Sequence, residues 1–296
     1  MAGDGAGTAA RRVGARGDTA GWIGTDPVVS RADGPGPPRR PPAVTAAPRP
    51  LPQPAPLARR LSGISLVLPC HNEAENLRWL LPHVAAVLPA LAERYEVVLV
   101  DDGSSDGSGE LAHELAASLG MDLTVLRHEA KSGYGVTVAD GLRATSLEYS
   151  AFTDADGQFE VADLALLIPL LDSADLVGGW REERSDAAMR SVVSGVFNTL
   201  LRLLYGLRVK DADCALKIMR TDFLRSVDIE SRSALMNAEL YIKAQRSGRR
   251  VAQVPVPHHP RQLGVRSGAR PRAIARAIKE LVLFRIRLAR RGRRAG

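Results

Sequence analysis

The chain has 296 residues, 45% of them hydrophobic, enough for one sizeable core and too little for two full domains. Its two cysteines, Cys70 and Cys214, show no CxxC or clustered Cys/His spacing, which excludes a disulfide framework and a zinc site and leaves two reduced thiols. The net charge of +7 is unevenly spread: residues 1–60 carry +5 and residues 261–296 carry +11, so residues 61–260 carry −9 and the high pI describes the ends.

Residues 1–60 hold eleven of the 19 prolines in a run of Gly, Ala, Pro and Arg that includes PGPPRRPP and PRPLPQPAP. Such a composition buries too little apolar surface to offset the entropy of ordering, so a disordered tail is expected. No apolar segment follows the early arginines, and Ala2 stands where myristoylation requires glycine, so a cytoplasmic domain is expected.

From residue 63 short apolar runs alternate with helical patterns. Ile64 to Leu68, Glu96 to Val100, Leu123 to Leu126 and Ser150 to Thr153 read as strands covered on both faces, because their apolar residues are nearly continuous. Glu73 to Leu91, Gly107 to Leu119 and Gly133 to Leu147 read as helices between them. The order implies an α/β domain with a mainly parallel sheet. Ligands of such sheets bind beyond the carboxyl ends of the strands, and here those ends are polar: PCHNEAEN at 69–76, DDGSSDGS at 101–108 and DADGQ at 154–158.

In PCHNEAEN, Pro69 is expected to end the first strand and Asn72 to cap the following helix, which Glu73 and Glu75 open. In DDGSSDGS, Asp102 can accept hydrogen bonds from a base or ribose and Asp101 can support a metal site from behind, while Ser105 or Asp106 caps the next helix. In DADGQ, an extended backbone puts Asp154 and Asp156 on one face, and Gln158 can add an amide oxygen. Mg²⁺ and Mn²⁺ take one or two carboxylates plus phosphate oxygens. An isolated DxD is more often a solvated turn; its place after a buried strand, beside two other polar strand ends, favours the metal.

Together the three segments resemble the family-2 glycosyltransferases of GT-A fold, whose donor domain runs strand, PxxNE, strand, DDGS, strand and a DxD-type motif. The resemblance extends into the dolichyl-phosphate mannosyltransferase and polyprenyl-phosphate glycosyltransferase branch over residues 62–268. DADGQ is similar to that branch's DADxQ, and GGWREERSD at 178–186, DADCALKIMR at 211–220, ELYIKAQRSG at 239–248 and VPVPHHPRQLGVRSG at 254–268 follow in its order.

The resemblance implies a Rossmann-like GT-A domain over 61–268. It places Pro69, His71 and Glu73 in the nucleoside pocket, His71 where many relatives carry tyrosine, with Asp101, Asp102, Lys131, Asp154 and Ala155 also on the donor. Asp154, Asp156 and Gln158 would hold Mg²⁺ or Mn²⁺ and the diphosphate. Asp156 would serve catalysis together with Arg181 and Arg190, which would bind the acceptor phosphate; Arg184 reads as solvated. Asp211 matches an acceptor-side block in which Ala215 here replaces the usual Gly and Leu216 the Phe.

The implied reaction moves a hexose from a GDP- or UDP-linked donor to a polyprenyl (dolichyl-type) phosphate at the cytoplasmic membrane face, inverting the anomeric centre. A phosphate acceptor is already ionised at neutral pH and needs no strong base. A soluble small-molecule or glycan acceptor is the nearer alternative, a non-enzymatic binding module the more distant one. Nucleotidyl transfer is disfavoured by the lack of a Gly-rich or Walker-type phosphate loop.

No apolar run reaches ~18 residues, so no membrane-spanning helix is expected. Met189 to Tyr205 is apolar at helical spacing and reads equally as a core or an interfacial helix. Residues 269–296 read as a basic amphipathic helical tail, apolar at Ile274, Ile278, Leu281, Phe284, Ile286 and Leu288, that would contact an anionic membrane peripherally at the inner face of the plasma membrane. Nucleic acid is disfavoured, because almost no aromatic residue interleaves with the arginines. His83, His113 and His128 show no partner acid at ligand spacing and are expected to be structural, and His258 and His259 to shape a loop near the acceptor.

Overall fold

The computed structural model describes residues 28–31, 54–181, 188–261 and 271–292. In chain order the elements are β1 (Val28–Arg31), β2 (Ile64–Cys70), α1 (Ala74–Leu91), β3 (Tyr95–Asp101), α2 (Ser108–Leu119), β4 (Leu123–Arg127), α3 (Tyr134–Ala144) and β5 (Tyr149–Phe152). There follow α4 (Leu164–Leu167), β6 (Leu176–Arg181), α5 (Ala188–Tyr205), β7 (Lys217–Arg220), α6 (Thr221–Arg225), α7 (Leu235–Arg246), β8 (Val251–Val256) and α8 (Pro271–Gly292).

The strands form one sheet in the order β1-β4-β3-β2-β5-β7-β6-β8. Pairs β3/β4, β2/β3, β2/β5 and β6/β8 are parallel; β7 runs antiparallel to both β5 and β6. The expected mainly parallel α/β sheet is therefore present. Every residue of β2 from Ile64 to Leu68 is buried, which only a strand covered on both faces achieves.

Strand β2 runs on to Cys70, so Pro69 lies inside it, in register with Val100, rather than ending it. Val67 gives its carbonyl to the Thr153 N–H on the β5 side, so Pro69, two residues on, turns its missing donor to the same side, where β5 has already ended. Within the stretch expected to be disordered, β1 pairs antiparallel with the outer edge of β4. Its VVSR sequence is free of the surrounding prolines and can add to an open edge.

Helices α5 and α8 pack on each other: the Tyr205 hydroxyl donates to the Leu281 carbonyl at 2.6 Å, and the Tyr205 and Phe284 rings lie 6.0 Å apart. This corrects the apolar face of α8. Leu281, Phe284 and Leu288, expected to meet lipid, are buried against the body, whereas Val282, Leu283 and Ile286 are exposed. On α5, Leu201 is buried while Val196 and Leu203 are exposed, Leu203 at 75%. A helix apolar on more than one side serves the core with one face and leaves the other free, which a single apolar period does not distinguish.

Candidate active site

Strands β3, β2 and β5 are neighbours, so their polar ends lie side by side along one sheet edge. The first two ends clasp each other. At the start of α1 the N–H groups of Asn72, Glu73 and Ala74 donate to Ser104 Oγ, Ser108 Oγ and Asp106 Oδ2, at 2.9, 3.0 and 3.0 Å. Asn72 is therefore not the cap: at φ 56° its Oδ1 accepts the Ser105 N–H at 2.8 Å, and the caps come from the other strand end. Asp106 also accepts from the Ser108 N–H at 3.1 Å, but the N-cap of α2 is Gly107, at φ 81°, and not Ser105 or Asp106.

Asp101 is fully buried; its Oδ1 accepts the Ser104 N–H at 2.8 Å and its Oδ2 lies 3.6 Å from Arg127 Nε. Asp102 takes three donors, His128 Nδ1 at 2.8 Å and the N–H groups of Ser132 at 2.6 Å and Gly133 at 3.0 Å. Burial pushes its carboxyl up, but these hydrogen bonds outweigh burial and hold it below its ordinary range. Asp102 thereby fixes the loop that carries Lys131, which is exposed. His71 gives its Nδ1 to the Asp102 carbonyl at 2.8 Å. His128 does have partner acids: Asp140 lies 3.1 Å from its Nε2, and hydrogen bonds to Asp102 and Asp140 push the imidazole up to about 9. These partners come from other elements, which local spacing does not reveal.

The DADGQ turn follows β5. Gly157, at φ +72°, lies so close to Trp79 that a β-carbon would meet its Cζ2 at 2.4 Å, so only glycine fits. Asp156 accepts the Gln158 N–H at 3.1 Å and Arg261 Nη1 at 3.2 Å; Arg261 also reaches Glu73 Oε1 at 2.6 Å. Burial raises the carboxyls of both Glu73 and Asp156, with Arg261 opposing it. Asp154 is pushed up to about 7, by burial first and by Asp156 next, against a hydrogen bond from the Tyr134 hydroxyl. Its Oδ1 is shielded from solvent and has no hydrogen-bond partner among the described residues. Ala155 between them is buried.

A shielded carboxylate oxygen without a partner, two residues from a second carboxylate, is donor chemistry that a hard divalent cation satisfies. Among the described residues no group of three or more His, Cys, Asp or Glu is placed to hold a metal alone, so the pair suits an ion completed by phosphate and water oxygens. The side-chain nitrogen of Gln158 faces His258 Nε2 and the His259 carbonyl, both at 3.3 Å, which brings the segment after β8 to this turn.

Across the sheet, Arg181 at the end of β6 makes a bidentate pair with Asp211, Nε to Oδ2 at 2.7 Å and Nη2 to Oδ1 at 3.0 Å. Ala215 and Leu216 of the same loop are buried. Arg190 falls in α5, but its side chain, like residues 182–187 with Arg184, lies outside the described residues. Sequence reasoning missed Arg261, Tyr134 and the fully buried Lys217; the basic residue inside the apolar run ALKIM was the one available signal for the last. Both cysteines are buried free thiols, pushed up to about 12 by burial.

A family model described as glycosyl transferase family 2 matches residues 65–227. Dodecaprenyl-phosphate galacturonate synthase of Rhizobium johnstonii is 28% identical over 209 residues, covering 68% of this chain and 60% of the relative. Undecaprenyl-phosphate 4-deoxy-4-formamido-L-arabinose transferase of Edwardsiella ictaluri is 29% identical over 203 residues, covering 68% and 61%. The chain thus spans about 60% of the length of these relatives. Among solved structures, glucosyl-3-phosphoglycerate synthase from Mycobacterium tuberculosis, in complex with Mn²⁺, UDP and phosphoglyceric acid, shares the fold with a TM-score of 0.61 at 21% identity, covering 77% of this chain and 79% of that one.

Proposed function

This chain belongs to glycosyl transferase family 2, and we propose that it is a metal-dependent inverting transferase that moves a hexose from a GDP- or UDP-linked donor to a polyprenyl phosphate at the cytoplasmic face of a membrane. The observation that carries the reading is the pair Asp154 and Asp156, one with a shielded oxygen that has no partner among the described residues, on the edge shared by three strand ends. The names of its relatives supply the acceptor class.

In this reading Pro69, His71, Glu73, Asp101, Asp102, Lys131 and Ala155 line the donor side. Asp154 and Asp156, with Gln158 beside them, would hold Mg²⁺ or Mn²⁺, which would supply Lewis-acid stabilisation to the departing nucleoside diphosphate. Arg261, held by Asp156 and Glu73, adds a positive charge beside this pair. Arg181, its plane fixed by Asp211, and Arg190 on α5 orient the acceptor phosphate behind the anomeric carbon, and positioning replaces base catalysis because that phosphate is already charged. Single displacement from behind inverts the centre.

Membrane contact is peripheral in this account. No helix among the described residues is long and apolar enough to cross a membrane. The exposed Val282, Leu283 and Ile286 of α8 and Leu203 of α5, with Arg202, Arg285, Arg287 and Arg290 exposed on the same helices, form an apolar and basic surface suited to anionic lipid. A soluble phosphorylated acceptor is the second reading, favoured by the phosphoglyceric acid bound in the solved structure of like fold.

The test is a panel of GDP- and UDP-sugars with Mn²⁺ or Mg²⁺, scored by nucleoside diphosphate released in the presence of polyprenyl phosphate. Release that needs both the ion and the lipid phosphate supports the proposal. Release driven equally by soluble phosphate esters supports the second reading, and no release from any donor supports a binding module.

A further inference from the structure

Lys217 opens β7 with no solvent exposure, in a strand continued by Ile218 and Met219. A buried ammonium is costly unless its N–H groups are taken up. Its Nζ donates to the Cys214 carbonyl, to the Ala212 carbonyl at 3.4 Å and to Asn237 Oδ1 at 2.8 Å. The Phe152 and Tyr241 rings lie beside it at 5.4 and 5.2 Å. Gly178 makes room for this cluster, since a β-carbon there would collide with the Tyr241 hydroxyl.

The network continues towards the paired aspartates. With Oδ1 committed to Lys217, Asn237 turns Nδ2 to the Tyr134 hydroxyl at 3.5 Å; that buried hydroxyl interacts with the Asp154 carboxylate, on which the Lys217 charge also acts. Chemistry fixes the direction of every link. An ammonium only donates and a carboxylate only accepts, so the Asn237 amide and the Tyr134 hydroxyl each accept on one side and donate on the other. Tyr134 is itself anchored at the first turn of α3, where the Gly135 N–H donates to the Arg232 carbonyl at 3.1 Å. Asp154 Oδ1 has no hydrogen-bond partner among the described residues.

We propose that Lys217, Asn237 and Tyr134 are positioning residues that orient Asp154 for its divalent ion and tie that orientation to the Asp211–Cys214 loop, which holds Arg181. The metal-binding carboxylate and the loop on the acceptor side then share one buried scaffold. This rests on the reading of Asp154 as a metal ligand.

The test is Mn²⁺ binding to the full chain without donor, measured calorimetrically for Tyr134→Phe, Asn237→Ala, the double variant and Asp154→Ala, with thermal unfolding recorded for each. Loss of one link supporting a ligand weakens metal binding roughly tenfold, so both single variants are expected to do so. Links acting in series predict that the double variant binds no worse than the weaker single one. Tyr134→Phe tests the link with the fold intact, because it removes only the hydroxyl. If Asp154→Ala abolishes binding while Tyr134→Phe binds like the wild type, this proposal is overturned and the metal reading stands. Additive losses in the double variant also overturn it. If Asp154→Ala binds Mn²⁺ like the wild type, the metal reading falls and the proposal with it.

Discussion

Arg261, from the segment after β8, places Nη1 3.2 Å from Asp156 Oδ2 while its Nη2 sits 2.6 Å from Glu73 Oε1. One guanidinium thus serves as counter-charge to the donor turn and to the start of α1. Removing one member of a buried, hydrogen-bonded charge pair leaves the others uncompensated. In Arg261→Ala both carboxyls rise further, so the pH at which Mn²⁺ binding is half lost moves upward, because a ligand must be deprotonated to bind metal. Nucleoside diphosphate binding should weaken by about tenfold or more. Calorimetric titrations across pH check both effects.

His128 gives a stability prediction with a defined sign. Its imidazole rises from 6.5 to about 9 through Asp102 and Asp140, so the folded state holds the proton more tightly than the unfolded chain. The resulting stabilisation is fully present below about pH 6.5 and is lost as pH rises through about 9, on the order of 3 kcal/mol in total. Urea unfolding at a series of pH values should show this decline in the wild type and not in His128→Gln.

The alternation of strands and helices, and the three polar strand ends, were legible because burial on both faces and turn chemistry leave local marks. Asp154 and Asp156 could be picked out by their place after the β5 run. What pairs with them was not legible: Arg261 is 105 residues from Asp156, and Lys217 is joined to Tyr134, a partner of Asp154, through Asn237. Such partners depend on sheet order, and the reversed direction of β7, which carries Lys217, has no signature in the sequence KIMR. The face of α8 was misassigned for a related reason, since its apolar residues occupy two sides and only packing decides which one is covered.

Gly157→Ala combines a left-handed backbone with a contact to Trp79 that leaves no space for a methyl group. Strain at such a position costs about 1–3 kcal/mol, and relief would move the turn that carries Asp156. The variant is expected to lose both thermal stability and Mn²⁺ affinity. Retention of wild-type affinity would show that the turn does not set the site.

Adjacent residues on α8 should behave oppositely. Phe284 is fully buried, so Phe284→Ala should cost about 3–5 kcal/mol of stability. Leu283 is 45% exposed, so Leu283→Ser should change stability by less than about 0.5 kcal/mol and instead weaken sedimentation with anionic liposomes. Unchanged sedimentation would remove α8 from the membrane contact.

The central claim is tested most directly by transfer of labelled sugar from its nucleotide donor to polyprenyl phosphate, followed by extraction into organic solvent, with and without divalent ion and in Asp154→Ala. The account predicts extractable label that depends on Mn²⁺ or Mg²⁺ and falls by a factor on the order of 100 or more in the variant. Undiminished lipid-linked label in Asp154→Ala, or none from the wild type under any donor and ion, would contradict it.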